Sequence, residues 1–135
     1  MHDSDVKEIK KQLEEILYSR ENFIDRDDYI ELIHHIGNIH MIEKCCSNEH
    51  FTWNEAIEYA KNLKIGEFED WRIPTKEELE VIYKIKNDCG INKFDDCFWS
   101  STCADNTECA LLMNFYFGKE YYGHKSYKYY CRCVR

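Results

Sequence analysis

The chain has 135 residues, a formal net charge of −8 and one proline, and 44% of its residues are hydrophobic. This length and composition predict one folded domain with a sizeable core, and they exclude a disordered chain. The acidic balance argues against general nucleic-acid binding, so we expect no nucleic-acid partner.

The sequence gives no sign of a membrane or export signal. No apolar run approaches the roughly 20 residues that a membrane span needs. Residues 1–18 are charged throughout and lack the apolar centre of a secretory signal. We therefore expect no membrane span and, unless a leader has been removed, a cytoplasmic location.

The first predicted element is an amphipathic helix over residues 6–21. Asp5 and Glu8 have the spacing of a capping box. Apolar residues then recur every three or four positions, at Val6, Ile9, Leu13, Ile16 and Leu17. The stripe covers only about two heptads, which favours packing on the same chain and leaves a homodimer contact as the alternative. We assign residues 1–27 to this helical extension and residues 28–135 to the main domain.

A β-hairpin is predicted over residues 29–44, because apolar residues alternate on both sides of a Gly37-Asn38 turn. Two capped helices follow. Thr52 and Glu55 form a capping box before a helix over residues 53–63, which Gly66 ends.

The stretch over residues 70–79 carries the strongest local signals. Trp71 is a large ring that needs burial, and Pro74 favours an extended conformation for the residue before it. Thr75 and Glu78 then form a second capping box, before a helix that runs to about Lys86. These signals indicate a structural role rather than a catalytic one.

The remaining third of the chain predicts β-strands. A short strand covers residues 98–101, a longer one covers residues 109–117, and two more cover residues 120–123 and 127–134. In the longer strand the alternation places Leu111, Met113, Phe115 and Phe117 on one face, and Leu112, Asn114 and Tyr116 on the other.

Several motifs then line up in order along the chain. They are Thr52-Trp53-x-Glu55-Ala56, Asp70-Trp71-Arg72-Ile73-Pro74-Thr75 with Glu78-Leu79, Phe98-Trp99-Ser100-Ser101-Thr102, Asn114-Phe115-x-x-Gly118, and Arg132-Cys133-Val134-Arg135. Over about residues 50–135 this set resembles the Lcl C-terminal domain family, which takes its name from a collagen-like bacterial adhesin.

The resemblance implies an α+β, C-type-lectin-like fold, related to formylglycine-generating-enzyme domains and to retroelement variable proteins. Two helices would flank a twisted, mostly antiparallel sheet whose first and last strands pair, with the N-terminal amphipathic helix as an addition. The resemblance also implies that Trp53, Trp71, Pro74 and Trp99 build the scaffold.

The cysteines and histidines leave more than one interpretation open. The chain has eight cysteines. Free, buried thiols are favoured over a disulfide framework because no leader is seen. Cys131 and Cys133 share a strand face and would suit a soft metal, but packed thiols or one disulfide are favoured. Cys45-Cys46 lacks the spacing of a zinc site. We therefore expect no metal and no cofactor.

The aromatic C-terminal region is the most suggestive of function. Six of the ten tyrosines follow residue 109, and tyrosine is enriched in binding surfaces. The resemblance would allow calcium-dependent sugar binding, but Trp99 is followed by Ser100-Ser101 rather than by the Asn-Asp of true C-type lectins. We expect a non-enzymatic module that binds a glycan or a protein without calcium. The predicted ligand-binding residues are Asn114, Tyr116, Tyr122, Lys125 and Tyr127. The alternative is a copper- or zinc-dependent Cys/His enzyme of the formylglycine-generating type.

Overall fold

The structure is a computed structural model that describes residues 6–9, 11 and 20–135. Residues 6–9 and 11 are helical, and the last two residues of the predicted N-terminal helix belong instead to a 3-10 turn. The remainder of that helix and its homodimer contact lie outside the described residues. The described elements are a 3-10 turn (Arg20–Asn22), β1 (Phe23–Asp25), β2 (Tyr29–Ile36), β3 (Ile39–Glu43), α1 (Trp53–Asn62), α2 (Lys76–Ile85), β4 (Cys97–Cys103), β5 (Cys109–Asn114) and β6 (Lys119–His124). The chain is therefore α+β, as predicted.

Both predicted capping boxes are confirmed. The hydroxyl of Thr52 accepts a hydrogen bond from the Glu55 N–H (3.3 Å), and the Glu55 carboxylate accepts one from the Thr52 N–H (2.9 Å). At α2, Thr75 and Glu78 repeat this exchange at 3.2 and 2.8 Å. Within the described part of the chain, no helix has both the length and the apolar character needed to cross a bilayer.

The six strands form two three-stranded antiparallel sheets, with strand orders β1-β2-β3 and β4-β5-β6. We expected a single twisted sheet. Within the described residues this expectation is wrong, because the strands form two separate sheets. In the first sheet, the predicted hairpin is confirmed, and it turns at Gly37 with φ +58°. A positive φ is a conformation that glycine adopts at little cost.

The predicted strand over residues 109–117 ends early, at Asn114. The side-chain oxygen of Asn114 accepts hydrogen bonds from the backbone N–H groups of Tyr116 (2.8 Å) and Phe117 (3.3 Å). Asparagine side chains commonly stabilise turns in this way. As a result Phe115 remains buried, whereas Phe117 is 64% exposed and does not share its face.

The C-terminal segment is also different from the prediction, because residues 127–134 do not form one continuous strand. The segment makes single β-bridges instead. Val134 bridges Ile42 of β3 and also Arg72, while Tyr130 bridges Phe98 of β4. This segment therefore links the first sheet, the motif at residues 70–79 and the second sheet.

Two apolar clusters form the core. One packs α2 against both sheets, with Ile30, Leu79, Ile82, Phe98 and Met113 among its members. The other surrounds the indole rings and contains Ala56, Ala60, Trp71, Trp99 and Leu112. The predicted burial of Trp71 and Trp99 is confirmed, at 3% and 0% exposure.

Candidate functional site

The eight cysteines all lie in the described part of the chain and are free thiols. Four of them are buried, namely Cys46, Cys89, Cys131 and Cys133. A hydrogen bond from the Cys133 thiol to the Cys131 sulfur raises the pKa of Cys133 well above its usual value, and burial adds to this effect. A neutral thiol is a poor nucleophile, and Cys131 and Cys133 are both fully buried in the core.

A buried carboxylate lies beside these thiols. Glu43 is 5% exposed, and its Oε1 accepts a hydrogen bond from the Cys133 N–H at 2.9 Å. Its Oε2 accepts another from the hydroxyl of Tyr59. Burial raises the pKa of Glu43 to about 6. Among residues 6–9, 11 and 20–135, no three or more His, Cys, Asp or Glu side chains are grouped to hold a metal ion. The described residues therefore contain no ligand cluster that would support the alternative of a metal-dependent enzyme.

Arg132 is a buried cation close to the same region, at 2% exposure. Its Nη2 donates to the carbonyl oxygens of Asn92 and Lys93, and its guanidinium lies 5.4 Å from the centre of the Phe98 ring. Burial lowers its pKa, whereas the neighbouring Cys46 opposes that change. These contacts fix the loop before β4 against the C-terminal segment, which is a structural role.

The predicted ligand-binding residues lie along the β5–β6 hairpin and the segment after it. Asn114 and Tyr116 are at the turn between the strands, where Tyr116 is 70% exposed. Tyr116 and Phe117 place their ring centres 4.8 Å apart in an edge-on arrangement. We call these two side chains the aromatic tip. Asn114 shapes this tip through its hydrogen bonds.

The other three predicted residues lie elsewhere. Tyr122 pairs with Leu111, whereas Asn114 shares the face of Leu112, so Tyr122 and Asn114 point to opposite faces of the sheet. Lys125 follows the far end of β6, and its ammonium lies 4.1 Å from the centre of the Trp53 ring. The structure therefore does not bring the five predicted residues into one continuous surface.

Tyr127 is 60% exposed and lies beside His124, with ring centres 6.0 Å apart. It belongs to the end of the hairpin that is opposite to the aromatic tip, because His124 pairs with Cys109 at the start of β5. At about 3.4 Å per residue, the five steps of β5 separate the two ends by roughly 17 Å.

Two exposed aromatic residues, Phe117 and Tyr121, are not among the predicted ligand-binding residues. The alternating pattern assigned Phe117 to the same face as Leu111, Met113 and Phe115. One signal in the sequence could have revealed the turn. Asn114 is followed four residues later by Gly118, and both residue types favour turns. Tyr121 is 48% exposed and shares the face of Asn114.

The motif residues of the 70–79 stretch converge on a polar cleft of about 670 Å³, between the β2–β3 turn and the start of α2. Arg72 makes a two-fold hydrogen bond with Glu78, at 2.6 and 2.7 Å. Arg135 pairs in the same way with Asp70. These charges satisfy one another across the motifs and hold the end of the chain against the 70–79 stretch.

Residues 35–135 match the family model of the Lcl C-terminal domain. The chain belongs to the Lcl C-terminal domain family. A search of the curated proteins found no match to the sequence. In this Lcl C-terminal domain the match begins within β2, earlier than residue 50, so that it includes the β2–β3 turn that lines the cleft.

Most of the exposed large apolar side chains of this Lcl C-terminal domain fall within one stretch of its sequence. Eight large hydrophobic residues are exposed in the described part of the chain, and five of them are aromatic residues at positions 116–127. The five are Tyr116, Phe117, Tyr121, Tyr122 and Tyr127. Of these five, Tyr116 and Phe117 are in ring contact, and contiguous exposed apolar side chains mark interaction surfaces in soluble proteins.

Proposed function

We propose that this Lcl C-terminal domain is a non-enzymatic binding module that recognises a glycan or a protein surface without calcium. The concentration of exposed aromatic residues at positions 116–127 carries the proposal. Tyrosine offers a large, rigid contact area with a polar hydroxyl, which suits both sugar rings and protein loops.

The aromatic tip is the contact point that the geometry favours most. Asn114 holds the backbone of Tyr116 and Phe117, and the Gly118 N–H donates to the Asn114 carbonyl oxygen at 2.7 Å. Gly118 also lies directly against the ring of Tyr83. A tip that is already ordered loses little conformational entropy on binding, which favours affinity.

Tyr122, Lys125 and Tyr127 would then be secondary contacts. A ligand that touched both the aromatic tip and Tyr127 would have to follow the hairpin over roughly 17 Å. An extended ligand, such as a glycan chain or a peptide segment, fits this requirement better than a single sugar ring.

We also propose that the fold is C-type-lectin-like. Two features support this assignment. The two capped helices accompany antiparallel strands, and the last residues of the chain pair with β3 near the start of the domain: the Met41 N–H donates to the Arg135 carbonyl oxygen at 2.8 Å. Calcium independence is supported by the sequence, because Ser100-Ser101 follows Trp99 where calcium-binding lectins carry Asn-Asp.

The test is capture of the protein on a glycan array and on a protein array, with and without EDTA. We expect capture by at least one array, unchanged by EDTA. Tyr116→Ala and Phe117→Ala should each lower capture at least tenfold, since aromatic anchors commonly carry more than about 1.4 kcal/mol. Ile33→Ala is the matched control, because Ile33 is 52% exposed on β2, in the other sheet.

Circular dichroism of each variant separates loss of binding from loss of folding. Capture that survives in both tip variants would reject the aromatic tip as the binding site. Capture that EDTA abolishes would reject calcium independence.

A further inference from the structure

A second cavity, of about 340 Å³, lies between α1 and the segment at residues 71–75. Its apolar walls are Ile57 and Ala60 of α1, together with Trp71 and Ile73. The Trp71 indole N–H already donates to the Ile65 carbonyl oxygen at 3.2 Å, so the ring offers the cavity an apolar surface. A small, mostly apolar cavity of this size falls within the range of small-molecule sites.

The polar side chains that line this cavity are all hydrogen-bond donors. They are Lys61, Arg72, Thr75 and Ser101, and no carboxylate is among the lining residues. Arg72 uses two of its five N–H groups for Glu78. The Thr75 oxygen accepts from the Glu78 N–H, and the Thr75 hydroxyl also interacts with the Glu78 carboxylate.

Lys61 supplies the charge that is available to a ligand. It is exposed in the last turn of α1, and within the described residues it pairs with no carboxylate. The complementary ligand has an apolar body and an anionic, hydrogen-bond-accepting group.

We propose that the cavity between α1 and residues 71–75 binds a small amphipathic carboxylate, with its apolar body against Trp71 and its carboxylate beside Lys61. At about 340 Å³ the cavity is near the lower limit for such sites, so the ligand is an aromatic acid or a short-chain acid rather than a long lipid. None of the lining residues belongs to β5 or β6, so this site is independent of the proposed aromatic tip.

The experiment is a titration of the full chain with benzoate and with hexanoate, followed by ¹H–¹⁵N NMR. The matched neutral probes are benzamide and hexanamide. We expect the Trp71 indole N–H and the Ala60 amide signals to shift, with a dissociation constant of about 1 mM or tighter for at least one acid. The neutral amides should bind at least about tenfold more weakly, because they lack the charge that Lys61 meets.

Two variants and a control complete the test. Lys61→Ala should weaken binding of the acid about tenfold, and Lys61→Arg should retain it. Lys84→Ala, at an exposed lysine of α2, should leave binding unchanged. Both positions are exposed, so the three variants are expected to fold.

Three results would overturn the proposal. One is the absence of shifts at Trp71 and Ala60 with both acids. Another is equal affinity for the acids and the amides. The third is an unchanged affinity in Lys61→Ala. Each of these results can occur while Tyr116→Ala still abolishes capture on the arrays, so failure here is distinguishable from failure of the proposed function.

Discussion

Tyr59 donates a hydrogen bond from its hydroxyl to the buried carboxylate of Glu43. The same carboxylate accepts the Cys133 N–H at 2.9 Å. One side chain of β3 is thereby bonded to α1 and to the C-terminal segment at once. Burial raises the pKa of Tyr59, and the nearby carboxylate adds to that effect, so the hydroxyl keeps its proton and remains a donor.

Glu43 should make stability depend on pH. Burial raises its pKa in the folded protein to about 6, above the ordinary value of 4.5. The folded state therefore holds this proton more tightly than the unfolded state does. The resulting stability is fully present below about pH 4.5 and is lost as the pH rises through about 6. At 1.36 kcal/mol per pKa unit, the contribution is about 2 kcal/mol.

The measurement is urea unfolding of the native protein and of Glu43→Gln at pH 4 and pH 8. Glutamine has almost the same shape and does not titrate in this range. The native protein should gain about 2 kcal/mol relative to the variant on going from pH 8 to pH 4. A difference between the two proteins that does not change with pH would contradict a raised pKa.

Tyr59→Phe should destabilise the protein by about 1–3 kcal/mol, because the variant leaves a buried carboxylate oxygen without its donor. The free energy of unfolding at pH 7 is the measured quantity. Tyr127→Phe is the control, since Tyr127 is 60% exposed, and it should change stability by less than about 0.5 kcal/mol. Equal effects of the two substitutions would argue against the Tyr59–Glu43 bond.

Glu78 should show the opposite pH dependence from Glu43. Burial alone would raise its pKa, but the hydrogen bonds from Arg72 and Thr75 prevail and lower it. The stability from this group is present above about pH 4.5 and is lost as the pH falls below that value. Glu78→Gln should therefore have a lower free energy of unfolding than the native protein at pH 7, and this difference should shrink in acid. Unfolding curves at pH 3.5 and pH 7 test this, and a larger disadvantage at pH 3.5 would contradict it.

Gly118→Ala should be more destabilising than Gly37→Ala. Both glycines have a positive φ, at +70° and +58°, so both substitutions carry a backbone cost of about 1–2 kcal/mol. A Cβ at Gly118 would also lie 2.5 Å from Cζ of Tyr83, whereas a Cβ at Gly37 would have no atom within 4 Å. The difference between the two variants in urea unfolding measures the overlap with Tyr83, and equal costs would show that the ring moves freely.

The parts of the fold that could be predicted are those set by neighbouring residues. The Thr52 and Thr75 capping boxes involve side chains three residues apart, and the Gly37 turn is equally local. The predicted end of β5 was wrong because the apolar alternation in the sequence continues to Phe117. In the structure the Asn114 side chain bonds to the backbone that follows it, and the strand ends there. The division into two sheets depends on contacts of the C-terminal segment, which no local pattern encodes.

The candidate site was less predictable for the same reason. Exposure of Tyr116, Tyr122 and Tyr127 agrees with a binding surface, but its role in binding stays a prediction. The sequence does not reveal that Tyr122 points to the opposite face from Asn114, because this depends on the register of β5 against β6. Lys61 and Ser101 both line the cavity between α1 and residues 71–75. They are brought together by the packing of α1 beside β4, which the sequence does not reveal.

The long reach of the C-terminal segment bears on how the protein is made. The Cys133 N–H and Glu43 are 90 residues apart in sequence, yet they are bonded in the folded state. During synthesis Glu43 can meet Tyr59, which follows it by 16 residues, whereas its bond to the Cys133 N–H can form only after the C-terminal segment has emerged from the ribosome. Pairing between such distant residues slows folding, so we expect the docking of the C-terminal segment onto β3 to be a late step in folding.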